Sequence, residues 1–443
     1  MVALRGARGS EVNRTPGGSD PDSYARYVLF TLLAVYMLHH LDRVAIALLL
    51  EPIGREFRLS DSQRGLLAGM GYAIPFAIAG IPLGMLIDRV NRVSLLATLL
   101  CLWSGLTALC AAAPGFVWLL AARVGVGAAE SGGTPANMSI IADYVPPSRR
   151  SAAFGIYTMG PHLGTIVGFA IAGAVATAYG WRAAFAVVGV PGLLLALLVV
   201  KTIREPRRTT DNAVESAAGH EAAPPLVETL RSIRGNGAVL HLFAGATLIN
   251  VVAAGLFSWL APFMIRAHGL SVREVGFAIA FGMAPFAAAG SLSGGALADR
   301  LGGFSSPRVA LMLAAAAAVT VPAVWIALLT PYTAVLVGAL AVQQFAHAST
   351  VGPSYAGVLG LLPARMRGTS AALLQVASNV LGFGVAVQIV GVLSDAFRSQ
   401  YGSDSLRYAM LGFALLNLWT TAHFVAAARR LGRASTAAPA LQS

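Results

Sequence analysis

Long apolar segments recur along most of the chain and are separated by short polar stretches. A helix needs about 20 residues to cross the roughly 30 Å hydrocarbon core of a bilayer, and twelve segments approach or exceed this length. The pattern therefore predicts an all-α membrane protein with twelve transmembrane helices. The segments lie near residues 27–50, 63–87, 93–113, 116–142, 151–178, 182–203, 239–265, 273–298, 308–329, 332–362, 366–393 and 408–428.

The polar stretch at residues 204–238 divides these segments into two sets of six. It carries Arg, Glu, Thr, Asn and the pair Pro224-Pro225, and such a composition buries too little apolar surface to fold alone. We interpret it as a cytoplasmic linker between an N-terminal six-helix bundle at 27–203 and a C-terminal six-helix bundle at 239–428. Residues 1–26 and 429–443 are predicted cytoplasmic tails, and 1–26 lack the apolar core of a secretory signal.

Composition and charge agree with this architecture. Hydrophobic residues make up 56% of the chain and charged residues 11%, whereas soluble domains are roughly a quarter charged. Most of the 31 Lys and Arg fall on the side of the termini and the linker, so the positive-inside rule predicts that both termini are cytoplasmic. The net charge of +12 is spread over short loops rather than gathered on one face, so no nucleic-acid partner is expected.

The two halves also repeat each other. The sequence Gly84-x-Leu86-x-Asp88-Arg89 recurs 211 residues later as Gly295-x-Leu297-x-Asp299-Arg300. Pro75-Phe76-Ala77-x-Ala79-Gly80 recurs at nearly the same offset, as Pro285-Phe286-Ala287-x-Ala289-Gly290. Two parallel six-helix repeats with a substrate path between them are an arrangement typical of alternating-access transporters.

The motif after the second segment resembles the signature of the major facilitator superfamily, Gly-x-Leu-x-Asp-Arg-x-x-Arg. The matching residues are Gly84, Leu86, Asp88, Arg89 and Arg92. The resemblance covers essentially the whole chain after residue 26. It implies a secondary transporter whose two halves rock about a central path.

Other motifs resemble the spinster-like branch of this superfamily. They are Tyr36-Met-Leu-His-His-Leu-Asp42-Arg43, Gln63-x-Gly65-Leu66-Leu67, Arg123-x-Gly125-x-Gly127-x-x-Glu130 and Ile140-Ile141-Ala142-Asp143-Tyr144. Organic-anion porters share the Leu-Asp-Arg string, and His39-His40 replace the more usual Asn-Tyr before it. The resemblance implies export of lysophospholipids or sphingosine-1-phosphate-like lipids in animals and proton-coupled transport in bacteria. The chain has 30 Arg but one Lys, Lys201, which favours a GC-rich bacterial source and thus the bacterial inner membrane.

Four charged side chains fall well inside the predicted spans, all in the N-terminal half: Asp42, Arg43, Arg123 and Glu130. A charge inside a bilayer costs several kcal/mol unless it faces a cavity or a partner, so a functional role is the default interpretation. The helical rise puts Asp42 about 12 Å and Arg123 about 14 Å from the outer surface, so the two can pair. Arg123 and Glu130, seven residues apart, share one face of a helix.

We expect Arg123 to bind the anionic group of the substrate, because a guanidinium stays charged and contacts phosphate or carboxylate with two hydrogen bonds. Asp42 and Glu130 would be the proton-titrating partners. Arg43 is directed away from Asp42 and would either bind substrate or extend toward the surface. The alternative interpretation is that the four residues form a static network between helices.

The C-terminal half lacks charges at the matching depth. His347 and Gln343, the first residue of the pair Gln343-Gln344, are its candidate substrate-binding residues, and His347 is equally compatible with a structural role. A charged N-half and an apolar C-half suit an amphipathic anion.

The candidate gating residues lie at the cytoplasmic ends of the repeated motif: Asp88, Arg89, Arg92, Asp299 and Arg300. The resemblance implies that Asp88 holds the N-terminus of the eleventh span, with Arg89 and Arg92 supporting it. The arginines are equally explained as topology determinants.

Motifs for catalysis or ATP binding are missing from the sequence, so we expect no enzyme activity and no cofactor. Cys101 and Cys110 would lie on opposite faces of one helix, so we expect no metal site there. We also expect a monomer. The first hypothesis is a proton-coupled transporter of an anionic amphiphile such as a lysophospholipid. The alternatives are a porter for small organic anions, with Arg43 and Arg123 binding a carboxylate together, and a non-transporting receptor or scaffold.

Overall fold

The computed structural model describes residues 21–87, 89–146, 149–205 and 226–437, and these ranges contain helices and connecting turns but no strand. The helices of the first half are α1 (Pro21–Glu56), α2 (Asp61–Ala68), α3 (Met70–Ile87), α4 (Arg92–Cys110), α5 (Phe116–Glu130), α6 (Gly133–Tyr144), α7 (Arg150–Tyr157) and α8 (Gly160–Thr202). Those of the second half are α9 (Leu226–Gly235), α10 (Gly237–His268), α11 (Val272–Phe277), α12 (Ala284–Arg300), α13 (Pro307–Leu329), α14 (Thr333–Gly360), α15 (Ala364–Ala377), α16 (Val387–Tyr401), α17 (Ser405–Ala414) and α18 (Leu416–Ala437).

Nine helical stretches within these ranges are long and apolar enough to cross a membrane. The chain is thus a multi-pass, all-helical membrane protein. The difference from the twelve predicted segments arises at three places. Residues Ala152–Thr202 and Ala364–Arg433 each form one stretch where two segments were predicted, while the segment predicted at 116–142 is divided between the shorter helices α5 and α6.

A glycine explains the first of these merged stretches. Gly180 has φ 83° and ψ 168° inside α8, a backbone conformation that side chains with a Cβ rarely adopt. Gly180 introduces a kink between the two predicted segments, and no loop separates them. The prediction of two segments and the observation of one stretch therefore describe the same sharp bend.

The predicted domain boundaries differ from the helix ends. Helix α1 begins at Pro21, inside the predicted N-terminal tail, and α9 lies within the predicted linker. The last helix continues to Ala437, beyond the predicted boundary at 428. At the N-terminus the extra turn is tied down, because the Tyr24 hydroxyl donates a hydrogen bond to the carbonyl oxygen of Thr202 at 2.8 Å.

Two π-helical segments interrupt helices of the second half, at Ala278–Met283 and Ser378–Ala386. Each adds a residue to a helical turn, and such segments frequently occur at functional sites. The second segment joins α15 to α16 and carries Asn379 and Phe383. Both of these side chains line the central cavity described below.

Apolar packing is distributed over three clusters. One lies within each half, and the third joins the halves, from Leu48 and Phe185 to Trp259 and Val387. The Trp259 indole also donates a hydrogen bond to the Val387 carbonyl oxygen at 2.9 Å. This shared cluster holds the halves together at the end of the molecule where α1 stops and α2 begins, which we call the closed end.

Small residues allow α1 and α8 to pack closely. Gly164 is buried against α1, and a Cβ there would lie 2.5 Å from the Met37 carbonyl oxygen. Because that oxygen belongs to the backbone, the helices themselves would have to move apart. A Cβ added to Gly155, in the preceding helix, would have no neighbouring atom within 4 Å.

We therefore expect Gly164→Ala to destabilise the protein by about 1–3 kcal/mol, the usual cost of overpacking. Gly155→Ala is the matched control and should be neutral or slightly stabilising, because alanine favours a helix over glycine. Thermal unfolding in detergent, followed by tryptophan fluorescence, measures both variants. Equal melting temperatures for the two variants would contradict this account of the α1–α8 contact.

Candidate functional site

The four intramembrane charges converge where α1 meets α5. Asp42, Arg123 and Glu130 are 3%, 1% and 0% exposed, and Arg43 is partly buried. Two carboxylates and two guanidinium groups therefore lie in one low-dielectric region. Their formal charges cancel, as burial of ions requires.

Asp42 and Arg123 are brought together as the sequence suggested. Arg123 Nη1 lies 3.8 Å from Asp42 Oδ1, and the Thr107 hydroxyl of α4 donates a hydrogen bond to Asp42 Oδ2 at 2.5 Å. The ion pair is a loose one, since close charge-assisted hydrogen bonds measure about 2.7–2.9 Å. Asp42 therefore has its closer partner in Thr107.

Glu130 contacts two groups, and neither of them is Arg123. The Tyr72 hydroxyl of α3 donates to Glu130 Oε2 at 2.5 Å, and His39 Nε2 of α1 lies 3.1 Å from the same oxygen. Both contacts are buried. His39 and Tyr72 were not among the predicted site residues, and the one signal for His39 was that His39-His40 replace the usual Asn-Tyr before the Leu-Asp-Arg string.

Arg123 is enclosed within the N-terminal half. Its guanidinium carbon lies 5.1 Å from the centre of the Tyr72 ring, and its three nitrogens have no hydrogen-bond partner among the described residues. It is absent from the set of side chains that line the central cavity. In this conformation, the residue predicted to bind the substrate anion is thus shielded from the space where a substrate would bind.

Arg43 instead extends across to the second half. Its Nη2 donates a hydrogen bond to Asn379 Oδ1 at 2.7 Å, and its guanidinium lies 3.9 Å from the centre of the Phe383 ring. The prediction that Arg43 extends toward the membrane surface is therefore wrong, because it finds both a polar partner and an aromatic face inside. It is the cation nearest to the cavity among the four intramembrane charges.

A cavity of about 480 Å³ lies between the halves. Its walls contain polar side chains as well as small apolar and aromatic ones. Its polar lining is formed by His40, His162, Thr165, Asn250, Ser291, Gln344, His347, Tyr355, Gln375, Ser378 and Asn379. Its apolar lining includes Ala253, Ala254, Phe257, Ile279, Ala284, Ala287, Ala348, Val351 and Phe383.

Two of the predicted C-half residues occupy different positions. His347 lines the cavity, together with Gln344. Gln343 is 7% exposed and lines a smaller apolar pocket next to Leu340 and Met410. The glutamine that faces the cavity is therefore Gln344 and not Gln343.

A polar network that sequence reasoning missed joins the halves at the closed end. Arg266 of α10 donates to both oxygens of Asp61, at 2.9 and 2.7 Å, and to Glu51 at 2.7 Å. Arg64 donates to Asp61 at 2.6 Å. The Asp61 and Glu51 side chains are only 2% and 5% exposed, so these are buried ion pairs.

A carboxylate of the second half also caps α2. Asp395 of α16 accepts hydrogen bonds from the backbone N–H groups of Asp61 and Ser62, at 3.0 and 2.8 Å, and from the Ser62 hydroxyl at 2.6 Å. A carboxylate at a helix N-terminus satisfies free N–H groups and opposes the positive end of the helix dipole. This contact closes the path at that end.

The candidate gate residues that the structure describes lie toward the opposite end. Asp88 lies outside the described residues, and Arg89, Asp299 and Arg300 are exposed. Arg92 is held inside the first half, where it binds Asp143 at 2.6 Å and Glu205 at 2.8 Å.

A helical membrane protein with a cavity between its halves, closed at one end and containing buried ion pairs, has the form of a secondary transporter. Residues 32–387 match the model of the Major Facilitator Superfamily, and the chain belongs to this family. It is a transporter and not an enzyme, and the predicted location in the bacterial inner membrane, as a multi-pass protein, is confirmed.

The relatives are bacterial transporters. The chain is 28% identical over 382 residues to an MFS-type efflux pump of Mycolicibacterium smegmatis, covering 86% of this chain and 87% of the relative. It is 24% identical over 309 residues to the probable galactarate/D-glucarate transporter GudP of Bacillus subtilis, covering 65% and 67%.

Solved structures confirm the predicted resemblance to the spinster-like branch. A bacterial homologue of the human lysosomal transporter Spinster, in an inward-facing and unoccupied conformation, superposes with a TM-score of 0.81 at 29% identity, covering 94% of this chain and 99% of the homologue. The occupied, inward-facing form gives 0.82.

The closed-end network generates a stability prediction. We expect Arg266→Gln to cost about 3 kcal/mol, the lower end for breaking a buried ion pair, because Asp61 then keeps only Arg64 and Glu51 keeps only Arg55 as a close cation. The matched control is Arg365→Gln, which breaks a pair with Glu228 whose side chains are 46% and 40% exposed and should cost less than about 1 kcal/mol. Chemical unfolding in detergent compares them, and similar losses would show that the network contributes little.

Proposed function

We propose that the protein is a proton-coupled secondary transporter of an anionic amphiphile, such as a lysophospholipid or a sphingosine-1-phosphate-like lipid. It works by alternating access, with twelve spans, both termini in the cytoplasm and bundles at 27–203 and 239–428. The carrying observation is Arg43, a cation in a small pocket beside the central cavity that donates a hydrogen bond to Asn379 of the cavity wall.

Arg43 would bind the anionic head of the substrate. Its Nη2 bonds to the neutral amide of Asn379, whereas its buried Nε has no hydrogen-bond partner in the described part of the chain. An anion would replace a neutral acceptor with a charged one, which makes a stronger hydrogen bond. His347 and Gln344 offer further polar contacts, and the alanines and Phe257 would contact the apolar part.

Asp42 and Glu130 would carry the proton, with Arg123 between them. Arg123 lies on the α5 face that also carries Glu130 and is only loosely paired with Asp42. A small shift of α1 against α5 would exchange its partner, and moving a cation toward or away from a carboxylate changes the proton affinity of that carboxylate.

Charge balance gives a reason for coupling. The four intramembrane charges cancel, so a substrate anion bound at Arg43 would leave one net negative charge in a low-dielectric region. A proton bound by Asp42 or Glu130 would restore neutrality. Anion and proton binding would therefore favour each other, because an uncompensated charge inside the membrane is costly.

The cytoplasmic gate of this mechanism would include Asp88, Arg89, Arg92, Asp299 and Arg300. Arg92 supports such a role through its fixed position, since it bridges α4 to Asp143 of α6 and to Glu205. The closed-end network would open when the cytoplasmic side closes.

The second candidate is a porter for small organic anions. The name of the Bacillus subtilis relative, a probable galactarate/D-glucarate transporter, favours it, as do the many side chains in the cavity that can bind hydroxyl groups. In this case Arg43 and Arg123 would bind a carboxylate together. For this, the Arg123 side chain would first have to move past the Tyr72 ring and reach the cavity.

We expect proteoliposomes with an imposed proton gradient to accumulate sphingosine-1-phosphate or a lysophospholipid, and Arg43→Gln to lose at least about tenfold, since a charged hydrogen bond is worth about 1.5–3 kcal/mol. Arg43→Lys should retain part of the activity. Arg273→Gln, at an exposed arginine, is the control. Accumulation of galactarate alone would establish the second candidate. A stable protein that moves none of the three would be a receptor or scaffold.

We expect Asp42→Asn to abolish proton-driven accumulation while leaving substrate exchange between the two sides of the membrane. Asparagine keeps the shape and the bond from Thr107 but cannot bind a proton in the physiological range. The control is Asp404→Asn, whose side chain is 48% exposed. Unchanged accumulation in Asp42→Asn would exclude Asp42 from the coupling step.

A further inference from the structure

Helix α1 presents two pairs of polar residues on neighbouring faces. His39 and Asp42 are 6% and 3% exposed and face into the N-terminal half. His40 follows His39 and Arg43 follows Asp42, so each lies about 100° further around the helix. Both His40 and Arg43 line a pocket between the halves. One helix therefore contacts the buried carboxylates with one face and the substrate space with the next.

His39 lies in a closed environment built by four helices. Its ring lies 5.9 Å from the centre of the Trp103 indole of α4 and 6.0 Å from the Tyr36 ring. Its Nδ1 faces Gly133 of α6, where a Cβ would lie 4.0 Å away. Its Nε2 contacts Glu130 Oε2 of α5 at 3.1 Å.

The ionisable groups around His39 can be named from every helix that packs there. They are Tyr36, His40, Asp42 and Arg43 of α1, Tyr72 of α3, Arg123 and Glu130 of α5, Tyr157 of α7, which stacks on Tyr36, and His162 of α8, which lies near His40. Glu130 alone is in direct contact with the imidazole through a polar atom. The Nε2–Oε2 contact is within hydrogen-bond distance, and Tyr72 donates to that same oxygen.

We propose that His39 and Glu130 form one proton-binding unit, in which His39 is the residue that passes the transported proton to and from Glu130. The inference deepens the proposed function and rests on it. The Glu130 side chain has no exposed surface, whereas 8% of the His39 side chain is exposed, so a proton would reach Glu130 through this neighbour. An imidazole suits this role because one nitrogen can accept a proton while the other releases one.

The balance of the step is simple. A proton arrives at one ring nitrogen of His39, the imidazolium transfers the proton on Nε2 to Glu130 Oε2, and His39 returns to the neutral form. No electron pair leaves the site and no bond other than N–H and O–H changes. The substrate touches His40 and Arg43 on the neighbouring face, so substrate and proton sites are adjacent but separate.

The test separates a proton carrier from a plain hydrogen-bond donor. His39→Gln keeps an N–H donor near the position of Nε2 but cannot carry a proton. The matched control is His268→Gln, at the far end of α10. Proton-driven accumulation of sphingosine-1-phosphate, a lysophospholipid and galactarate would be compared with equilibrium exchange of the same probes, which needs no net proton movement.

We expect His39→Gln to reduce proton-driven accumulation by at least about tenfold, within the range of proton-transfer residues, while exchange stays within about threefold. Glu130→Gln should give the same result, and the double variant should be no worse than either single variant, because the two act as a unit. Thermal unfolding confirms that each variant is folded.

Two outcomes overturn this proposal alone, and a third overturns the proposed coupling as well. Full accumulation in His39→Gln would show that His39 is only a donor, and multiplicative losses in the double variant would show that the two residues act separately. A wild-type protein that exchanges a probe without proton-driven accumulation would refute the proposed coupling, and this inference with it. The wild-type arm therefore distinguishes the two failures.

Discussion

Charge neutrality inside the membrane is the constraint on which the rest of this structure depends. Two carboxylates and two guanidinium groups lie in the N-terminal half, and removing any one of them from water costs several kcal/mol. The fold meets the constraint by placing all four side chains, from α1 and α5, in one buried region around Tyr72. The pairing is incomplete: Arg123 is 3.8 Å from Asp42, and its nitrogens have no hydrogen-bond partner in the ranges that the structure describes. A static network would be expected to have tighter contacts.

Helix periodicity allowed part of this site to be predicted from the sequence. The spacing of Arg123 and Glu130 placed them on one face, and the depths of Asp42 and Arg123 placed them at one level. Helix existence followed from apolar length alone. The exact ends did not, because Pro21 and Ala437 lie in polar stretches whose helices are held by contacts such as that of Tyr24 with Thr202.

The contacts that could not be predicted join residues far apart in the chain. Arg43 meets Asn379, 336 positions away, and Asp61 meets Asp395, 334 positions away. Such contacts depend on how two halves dock, about which periodicity carries no information. The choice between Gln343 and Gln344 failed for a related reason: neighbouring residues on a helix point about 100° apart, and only the docked halves show which direction faces the cavity.

The two halves contribute different types of side chain to the central region. The first half holds the intramembrane charges, and the second supplies amide, hydroxyl and imidazole groups together with small apolar residues. Helix α1 belongs to the first half but reaches the second through Arg43. A movement of α1 that separates Arg43 from Asn379 also moves His39 and Asp42, because they lie on the same helix. Under the proposed function, a substrate that engages Arg43 would therefore be mechanically connected to both buried carboxylates, as coupled transport requires.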